Sequence, residues 1–352
     1  MRFPGVSDRL RPMKALLYEE PWKMSLTEMP KPAPGQGEVL LKSVAVGICG
    51  SDVHGFTGES GRRKPDMVMG HEAVGQVVEL GPEVTRLQVG DWVAVYNIRS
   101  CGKCRFCRAE QEQLCPDKKM LGVNAGRWGA MAEFFTFPEA GLFKLDPSID
   151  PAIGLLTEPI AVGLHAIGRM QPKRDDVIAI VGAGTIGIGL AIALKAQGIK
   201  KFYALDMVPA KLELIESFGA TPVHVEQENA LAVVWEATDG GGADGVFEAV
   251  GSAATVRTAY DLCALGGKLV LIGNLAKEFT LPLQGVTSNE TNIFGSYGFT
   301  RADFGAAVKL ISDPGIPLHQ LITGSCTLEE TPGVMTRMAK GELAAIKMVI
   351  KP

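Results

Sequence analysis

The stretch 177–187, Val-Ile-Ala-Ile-Val-Gly-Ala-Gly-Thr-Ile-Gly, decides the fold. Its first five residues are apolar without interruption, which is typical of a strand buried on both faces. The glycines that follow have the spacing G-x-G-x-x-G. The first makes a tight turn, the second lets the backbone approach a pyrophosphate and the third permits close helix–strand packing. The stretch therefore predicts a dinucleotide-binding turn that opens a helix, formed by Gly182, Gly184 and Gly187.

A carboxylate follows this motif at the spacing that such a turn requires. The next predicted strand, 201–205, ends in Asp206, about 20 residues further along the chain. An acid here accepts hydrogen bonds from both ribose hydroxyls and repels a 2′-phosphate, so it favours NAD over NADP as the cofactor. Asp206 can instead cap the helix expected from Pro209, and Lys211 is a nearby cation that would tolerate a phosphate.

Strands and helices alternate on the C-terminal side of the motif. Apolar runs at 201–206, 245–250 and 266–273 are separated by segments of helical periodicity, which predicts a parallel sheet covered on both faces. The helical pattern before the motif is interrupted by Pro159. Although 177–194 holds eighteen uncharged residues, the glycines in its middle favour a strand that turns into a helix over a membrane span.

The N-terminal side of the chain has a different pattern. Residues 13–137 read as short strands rich in Val, Leu and aromatic residues, punctuated by Pro and Gly, which predicts a compact β-rich domain. Residues 1–12 are interpreted as a loose extension before a first strand that begins near Met13. We therefore expect an α/β protein with one β-rich domain and one doubly wound domain.

The composition excludes several classes of protein. A length of 352 residues suggests two domains or three small ones, and 46% hydrophobic residues can bury a substantial core. With 35 Lys and Arg against 39 Asp and Glu, the formal charge is −4. The chain therefore has no excess of positive charge of the kind that binds nucleic acid or an anionic membrane. We expect a small-molecule substrate and neither of those partners. The first residues lack an apolar stretch, so we expect a cytoplasmic protein with reduced thiols.

Four clustered cysteines have the spacing of a metal site, C-x2-C-x2-C-x7-C: Cys101, Cys104, Cys107 and Cys115. Four thiolates close one tetrahedral shell and leave no open position, so the ion would be structural zinc. An iron–sulfur cluster is the alternative, because the spacing overlaps ferredoxin-like runs. Two disulfides are disfavoured, because residues three apart in a tight loop pair poorly.

A second set of ligand types is dispersed along the chain: Cys49, His71, Glu72 and Glu158. A single cysteine is usually a small hydrophobic residue and a single histidine a satisfied polar group. Together, one sulfur, one nitrogen and two carboxylates suffice for an open zinc site.

These residues, the four-cysteine lobe and the dinucleotide motif together resemble the zinc-dependent medium-chain dehydrogenase/reductase superfamily over nearly the whole chain after residue 12. The resemblance implies a GroES-like catalytic domain at 1–162 with 299–352 returning to it, and a Rossmann NAD-binding domain at 163–298. Alcohol dehydrogenase binds its catalytic zinc with two cysteines and a histidine. Here Glu158, in a Glu-Pro motif, stands where the second cysteine is expected. That pattern is similar to the sorbitol (polyol), butanediol, threonine and glucose dehydrogenases.

The resemblance also implies roles for individual residues. Cys49, His71, Glu72 and Glu158 would hold a catalytic zinc, with Glu72 either a direct ligand or a group behind one. Ser51 would contact the substrate oxygen and His54 would pass the proton to solvent, unless Ser51 only caps a helix and His54 is a loop residue. Further positions would line the NAD groove: Ile186, Lys211, Ile272, Gly273, Asn274, Ser296, Tyr297 and Gly298. We expect NAD and two zinc ions per chain, in a homodimer or homotetramer.

The expected reaction is reversible oxidation of a secondary alcohol to its ketone by hydride transfer to NAD, with a polyol or sugar as substrate. Threonine and aldoses are alternative substrates, and a non-catalytic dinucleotide-binding redox sensor is the alternative from another class. Tyr297-Gly298-Phe299 stands where sorbitol-type enzymes often carry a Phe-Arg-Tyr-like segment, which puts sorbitol itself in doubt. Arg62, Arg63 and Lys64 are interpreted as a solvated loop, or as a site for an acidic substrate.

Overall fold

The structure is a computed structural model that describes residues 12–352, so all but the last residue of the predicted N-terminal extension lies outside the described residues. The chain forms two compact units. The first contains the residues up to Glu158 together with Val308–Pro314 and Leu318–Pro352. The second contains Pro159–Ala307 and Gly315–Pro317.

The strands, in chain order, are β1 (Met13–Glu20), β2 (Lys23–Met29), β3 (Glu38–Ile48), β4 (Met67–Val68), β5 (Glu72–Leu80), β6 (Trp92–Val95), β7 (Ile98–Arg99), β8 (Lys119–Met120), β9 (Phe134–Pro138), β10 (Leu142–Lys144), β11 (Val177–Val181), β12 (Lys201–Asp206), β13 (Thr221–His224), β14 (Ala243–Glu248), β15 (Cys263–Leu271), β16 (Asn292–Gly295), β17 (Ile322–Thr327) and β18 (Lys347–Lys351).

The helices are α1 (Gly50–Phe56), α2 (Arg105–Arg108), α3 (Pro151–Gly154), α4 (Thr157–Met170), α5 (Thr185–Ala196), α6 (Pro209–Ser217), α7 (Ala230–Glu236), α8 (Ala253–Asp261), α9 (Leu283–Ser288), α10 (Arg301–Ile311) and α11 (Thr331–Ala339).

The first unit is built from β-sheets. A seven-stranded sheet has the order β10-β6-β5-β3-β18-β17, with β9 also paired to β3. A three-stranded sheet has the order β2-β1-β4, and β7 pairs with β8. Aliphatic, aromatic and Met side chains from these sheets form one buried core, which includes Leu16, Val46, Val68, Phe135 and Met348. The β-rich N-terminal half predicted from the sequence is confirmed.

The second unit is a six-stranded parallel sheet with the order β13-β12-β11-β14-β15-β16. This is the strand order of a doubly wound dinucleotide-binding fold, with its topological switch point between β11 and β14. All five residues of β11 are buried, as expected for a central strand covered on both faces. The predicted α/β fold class is confirmed.

The helical pattern at 151–170 does not break where the sequence predicted. The break falls at residues 155–156, and Pro159 lies in the first turn of α4, where a missing backbone N–H costs no intrahelical bond. By length and composition this stretch could cross a membrane, but 61% of its 18-residue apolar window is buried inside the protein. The apolar run at 177–194 forms β11, the glycine loop and most of α5, so it is a strand that turns into a helix, as predicted.

Candidate active site and metal centres

Three neighbouring strands bring the dispersed candidate ligands together. Strand β3 lies between β5 and β18, so Gly47 pairs with Glu72 and Ile48 pairs with Met348. Cys49 follows β3 directly and Lys347 begins β18. A Cβ atom at Gly47 would lie 2.0 Å from Glu72 Oε2, so this position must be glycine for the Glu72 side chain to fit.

Cys49, His71 and Glu72 form a group whose ligand atoms all lie within 4.8 Å of one another. His71 and Glu72 are 5% and 1% exposed, and Cys49 is half-buried. His71 Nδ1 lies 3.3 Å from Asp52 Oδ1, which leaves Nε2 as the nitrogen available to a metal. A carboxylate that orients a histidine in this way is the usual partner of a metal-binding imidazole.

Asp52 is completely buried and has a second charged partner, Arg63, whose Nη2 donates to Asp52 Oδ1 at 2.7 Å. Burial alone would raise the pKa of Asp52, but the charges of His71 and Arg63 hold that pKa well below its usual range. Burial would likewise lower the pKa of His71, but Asp52 raises it well above that of a free histidine. Asp52 is therefore an anion that fixes the imidazole from behind.

Glu72 has a fixed cation beside it. Lys347 Nζ donates to both carboxylate oxygens of Glu72, at 2.7 Å and 2.6 Å, and both side chains are at most 2% exposed. Burial would lower the pKa of Lys347, but the carboxylate of Glu72 raises it above the usual lysine value. Glu72 thus lies in the ligand group and in a buried ion pair at once.

Glu158 lies next to this group but is not part of it by the same distance criterion. Its Oε1 accepts a hydrogen bond from Asn97 Nδ2 at 3.2 Å, and the same nitrogen donates to the backbone oxygen of His71 at 3.2 Å. Asn97 is fully buried and therefore ties Glu158 to the His71 segment. Burial raises the pKa of Glu158 to about 7.

The donor types suit a zinc ion that keeps an open position. Cys49 offers a thiolate, His71 an imidazole nitrogen whose other nitrogen faces a carboxylate, and Glu72 and Glu158 offer oxygens. Catalytic zinc sites combine three protein ligands of these types with one exchangeable position. The residues present therefore fit the metal.

Ser51 and His54 lie one turn apart on α1, which starts directly after Cys49. Ser51 is exposed, and Arg63 Nη2 lies 3.4 Å from its Oγ. The His54 side chain is 39% exposed, with Nδ1 3.3 Å from Glu59 Oε2. Residues at i and i+3 share a helix face, so the two predicted relay residues lie on the same side of α1.

The four clustered cysteines have the spacing of one tetrahedral ion. Their sulfurs lie within 4.8 Å of one another, with Cys104 Sγ 3.5 Å and Cys101 Sγ 3.9 Å from Cys107 Sγ. Sulfurs around a single zinc are separated by about 3.8 Å, whereas a disulfide requires about 2.05 Å. Backbone N–H groups of Lys103 and Cys104 lower the pKa of Cys101 to about 6, which favours a thiolate there. The disulfide alternative is therefore excluded for these pairs, and the site fits a structural ion.

The glycine motif has the geometry that its spacing predicted. Gly182 has a φ of +105°, which a residue with a side chain rarely adopts, and a Cβ atom at Gly187 would lie 2.0 Å from the Gly182 carbonyl oxygen. Gly184 precedes α5, and a Cβ atom there would meet nothing within 4 Å. The N-terminus of α5 thus has open space where a pyrophosphate would approach.

Asp206 ends β12, and its two carboxylate oxygens accept hydrogen bonds from two different backbone segments. Its Oδ2 accepts from the backbone N–H of Ala183 in the glycine loop at 2.9 Å, and its Oδ1 accepts from Met207 and Val208 at 2.9 Å and 3.0 Å. Lys211 Nζ lies 3.7 Å from Oδ2. The carboxylate therefore holds the turn before α6 and borders the glycine loop, but it does not cap α6, whose N-cap residue is Val208.

The remaining predicted cofactor contacts follow parallel strands at their carboxyl ends. Ile186 lies in the first turn of α5, and the segments 272–274 and 296–298 follow β15 and β16. Loops at the carboxyl edge of a doubly wound sheet form the ligand crevice. At this edge Glu248, fully buried at the end of β14, accepts hydrogen bonds from the backbone of Val250 and Gly251 at 3.0 Å and 2.7 Å.

Several site residues were not predicted from the sequence: Asn97, Lys347 and Glu248. Arg63 was interpreted as part of a solvated loop, and this is wrong, because its side chain is only 2% exposed. Arg62 and Lys64 are exposed as expected. The signal that could have revealed Lys347 is its position as a charged residue at the start of an apolar strand, where it needs a buried partner.

The chain matches two family models, "Alcohol dehydrogenase GroES-like domain" at residues 35–147 and "Zinc-binding dehydrogenase" at residues 185–313. It is 30% identical over 346 residues to sorbitol dehydrogenase of Bacillus subtilis, covering 97% of each chain. It is 32% identical over 334 residues to L-threonine 3-dehydrogenase of Caldanaerobacter subterraneus subsp. tengcongensis, covering 92% of this chain and 94% of the relative.

Solved structures of similar proteins contain nicotinamide cofactors. An alcohol dehydrogenase from Escherichia coli CFT073, complexed with NADH, has a TM-score of 0.88 and 26% identity and covers 97% of this chain and 99% of its own. A zinc-binding dehydrogenase from Sinorhizobium meliloti 1021, bound to NADP, has a TM-score of 0.89 and 27% identity, with coverages of 97% and 100%.

The two structural units and the two groups of metal-binding side chains define a zinc-dependent nicotinamide dehydrogenase built from a GroES-like and a Rossmann-like domain. The chain belongs to the medium-chain dehydrogenase/reductase superfamily, in its polyol dehydrogenase-like subgroup. It is an enzyme, an oxidoreductase acting on a small alcohol.

Proposed function

We propose that this enzyme reversibly oxidises a secondary alcohol of a polyol or sugar to the ketone, with NAD as hydride acceptor. The match to sorbitol dehydrogenase over 97% of both chains supports the polyol class. The observation that carries the proposal is the convergence of Cys49, His71 and Glu72 within 4.8 Å, with Glu158 held beside them by Asn97. The donor pattern Cys49…His71-Glu72…Glu158 resembles that of polyol-type enzymes. It differs from that of enzymes whose catalytic zinc has two cysteine ligands.

We propose that Cys49, His71 and Glu158 are the metal ligands of the resting enzyme. In that state the Glu72 carboxylate stays in its ion pair with Lys347. Arg63 and Lys347 already compensate Asp52 and Glu72. A dipositive ion would therefore be balanced by one thiolate and one further carboxylate, which Cys49 and Glu158 supply. Zinc bound there would act as a Lewis acid on the substrate oxygen.

The residues of α1 provide a route for the hydroxyl proton. Ser51, exposed and two residues after Cys49, would accept that proton and give up its own. His54 lies one turn further on and is partly exposed, so it can pass a proton to solvent. An imidazole side chain can exchange protons with solvent at neutral pH.

We propose the catalytic domain to be 1–162 with 299–352 and the cofactor domain to be 163–298.

We also propose that the enzyme prefers NAD over NADP. Asp206 at the end of β12 supports the preference, because a carboxylate there repels a 2′-phosphate. In Asp206→Ala, kcat/KM with NADP should rise relative to kcat/KM with NAD by at least about tenfold, equivalent to about 1.4 kcal/mol. A parent enzyme that already prefers NADP contradicts this proposal.

Threonine and aldoses are second candidates, and the match to an L-threonine 3-dehydrogenase over 92% of the chain supports the amino alcohol. The discriminating experiment measures NADH formation over polyols, butanediol, threonine, aldoses and simple alcohols, on protein whose zinc has been counted. We expect turnover on polyols with about two zinc ions per chain, one closed site and one open. Turnover on threonine alone overturns the polyol proposal, and one zinc or none overturns the catalytic site.

We also propose a cytoplasmic homo-oligomer, a dimer or a tetramer. Strand β16 ends the six-stranded sheet, and its backbone edge carries the exposed Ile293. Leu265 and Leu283, 79% and 77% exposed, lie in the segments around this strand. An apolar edge strand of this kind is a surface that proteins normally cover.

A further inference from the structure

Arg63 is a buried cation whose contacts converge on the candidate active site. Its side chain is 2% exposed, although the flanking Arg62 and Lys64 are exposed. Nη2 donates to Asp52 Oδ1 at 2.7 Å and lies 3.4 Å from Ser51 Oγ. Its Nε is buried with no hydrogen-bond partner among the described residues.

The stem of Arg63 is fitted against α1. A Cβ atom at Gly55 would lie 2.2 Å from Arg63 Cγ and 3.2 Å from its Cβ. Glycine in a helix costs about 1 kcal/mol relative to alanine, so its presence here needs a reason. The contact supplies one, because the Arg63 side chain occupies the space that any larger residue at position 55 would need.

Asp52 links Arg63 to two candidate metal ligands at once. Its Oδ1, held by Arg63, lies 3.3 Å from His71 Nδ1, and its Oδ2 accepts from the backbone N–H of Cys49 at 3.3 Å. One carboxylate therefore orients both the imidazole and the backbone that carries the thiolate. A buried carboxylate keeps its charge and position only while a cation faces it.

We propose that Arg63 is a positioning residue for the catalytic centre: it fixes Asp52, and through Asp52 it fixes His71 and Cys49 for zinc, while its contact with Ser51 aligns the proton acceptor. This inference rests on the proposed function in that His71 and Cys49 are taken as zinc ligands and Ser51 as the relay. Groups that hydrogen-bond to metal ligands typically contribute 10–100-fold to metal affinity, and Arg63 acts through one such group, Asp52.

The test compares zinc affinity in Arg63→Met, Arg63→Lys and Lys64→Met. Zinc is titrated against a chromogenic chelator, and the melting temperature of the zinc-depleted protein is measured in parallel. We expect the open site of Arg63→Met to bind zinc about 10–100-fold more weakly. Arg63→Lys keeps the positive charge but lacks the planar guanidinium group, so it should recover part of the lost zinc affinity. Lys64→Met changes an exposed neighbour and should match the parent.

Gly55→Ala keeps every charge and keeps the inference testable if Arg63→Met does not fold. The added methyl must displace the Arg63 stem, while alanine favours the helix itself. We expect weaker zinc binding at the open site and a lower kcat, with an unchanged KM for NAD, and an unaltered zinc at the four-cysteine site. Zinc affinity and kcat within twofold of the parent in Gly55→Ala or in folded Arg63→Met would overturn the inference.

If the proposed function is wrong, the experiments give a different result. A parent that binds two zinc ions but oxidises none of the alcohols removes the proposed reaction, yet the zinc affinities of the variants still decide the role of Arg63. Substitution of cobalt for zinc adds a spectrum that reports ligand geometry. A cobalt spectrum of Gly55→Ala identical to that of the parent would count against a positioning role.

Discussion

At the scale of single residues, the buried charges around Cys49 occur in pairs. Asp52 faces Arg63 and Glu72 faces Lys347, and all four side chains are at most 2% exposed. Charges taken out of water are tolerated when a partner compensates them, and removal of one partner is much more costly than removal of both. This asymmetry gives each pair a measurable signature.

Lys347→Met should destabilise the zinc-depleted protein by roughly 3–5 kcal/mol, because it leaves the Glu72 carboxylate buried and unpaired. The double variant Lys347→Met with Glu72→Gln should recover much of that loss. Chemical unfolding of the three zinc-depleted proteins measures both quantities. If the double variant is no more stable than Lys347→Met alone, the ion pair is not what requires the lysine.

The candidate ligands could be predicted from the sequence because each lies in a short local pattern. Cys49 precedes Gly-Ser-Asp, His71 and Glu72 are adjacent, and the four-cysteine lobe spans fifteen residues. Lys347 and Glu72 are 275 residues apart, and Asn97 and Glu158 are 61 apart. The first contact forms because β5 and β18 both flank β3, and the second joins the loop after β6 to the first turn of α4. No local pattern records either arrangement.

At the scale of elements, α10 begins with a reciprocal cap that a half-buried histidine completes. Thr300 Oγ1 accepts from the backbone N–H of Asp303 at 3.1 Å, and Asp303 Oδ2 accepts from the backbone N–H of Thr300 at 2.9 Å. The same oxygen lies 2.9 Å from His165 Nδ1 on α4. Burial would raise the pKa of Asp303, but the hydrogen bonds from His165 and Thr300 lower it below that of a free aspartate.

Asp303→Asn should therefore destabilise the protein by about 1 kcal/mol at neutral pH, the usual size of a helix-cap contribution. A carboxylate with a lowered folded-state pKa contributes stability above its unfolded pKa of about 3.9, and loses it as the pH falls through the folded value. The difference between parent and variant should shrink below about pH 4. Unfolding curves across this pH range measure it, and a difference that is constant with pH contradicts the assignment.

The strands and helices around the glycine motif were predicted because continuous apolar runs alternate with helical periods. Strand β13 and helix α7 were not predicted, since Pro222 interrupts the first and the second is only seven residues long. Helix α4 begins before Pro159 rather than after it, because a proline is accommodated in the first turn of a helix. Short elements at the ends of a sheet are defined by packing more than by pattern.

At the scale of the whole molecule, the exposed edge of the six-stranded sheet is the feature that a monomer leaves unexplained. Along β16, Asn292, Ile293 and Gly295 are exposed and Phe294 is half-buried. Ile293 is 37% exposed, and Tyr297, just after the strand, is 41% exposed. An edge strand normally carries a charge, a proline or a covering element that prevents pairing with another chain, and the sequence Asn-Ile-Phe-Gly has neither charge nor proline.

A second copy of the chain, related by a two-fold axis, would cover this edge, because such an axis buries the same surface patch of both copies in one contact. Ile293→Lys then places one charge from each copy in this contact, where burial of a charge is unfavourable, and should weaken self-association at least about tenfold, which corresponds to about 1.4 kcal/mol. Val89→Lys, at a 62% exposed apolar residue in the other unit, is the matched control and should leave association unchanged. Sedimentation equilibrium over a range of protein concentrations measures both. If the parent is a monomer, or if Ile293→Lys associates as strongly as Val89→Lys, the β16 edge is not the interface, because a pair of charges buried at a two-fold contact cannot leave the association constant unchanged.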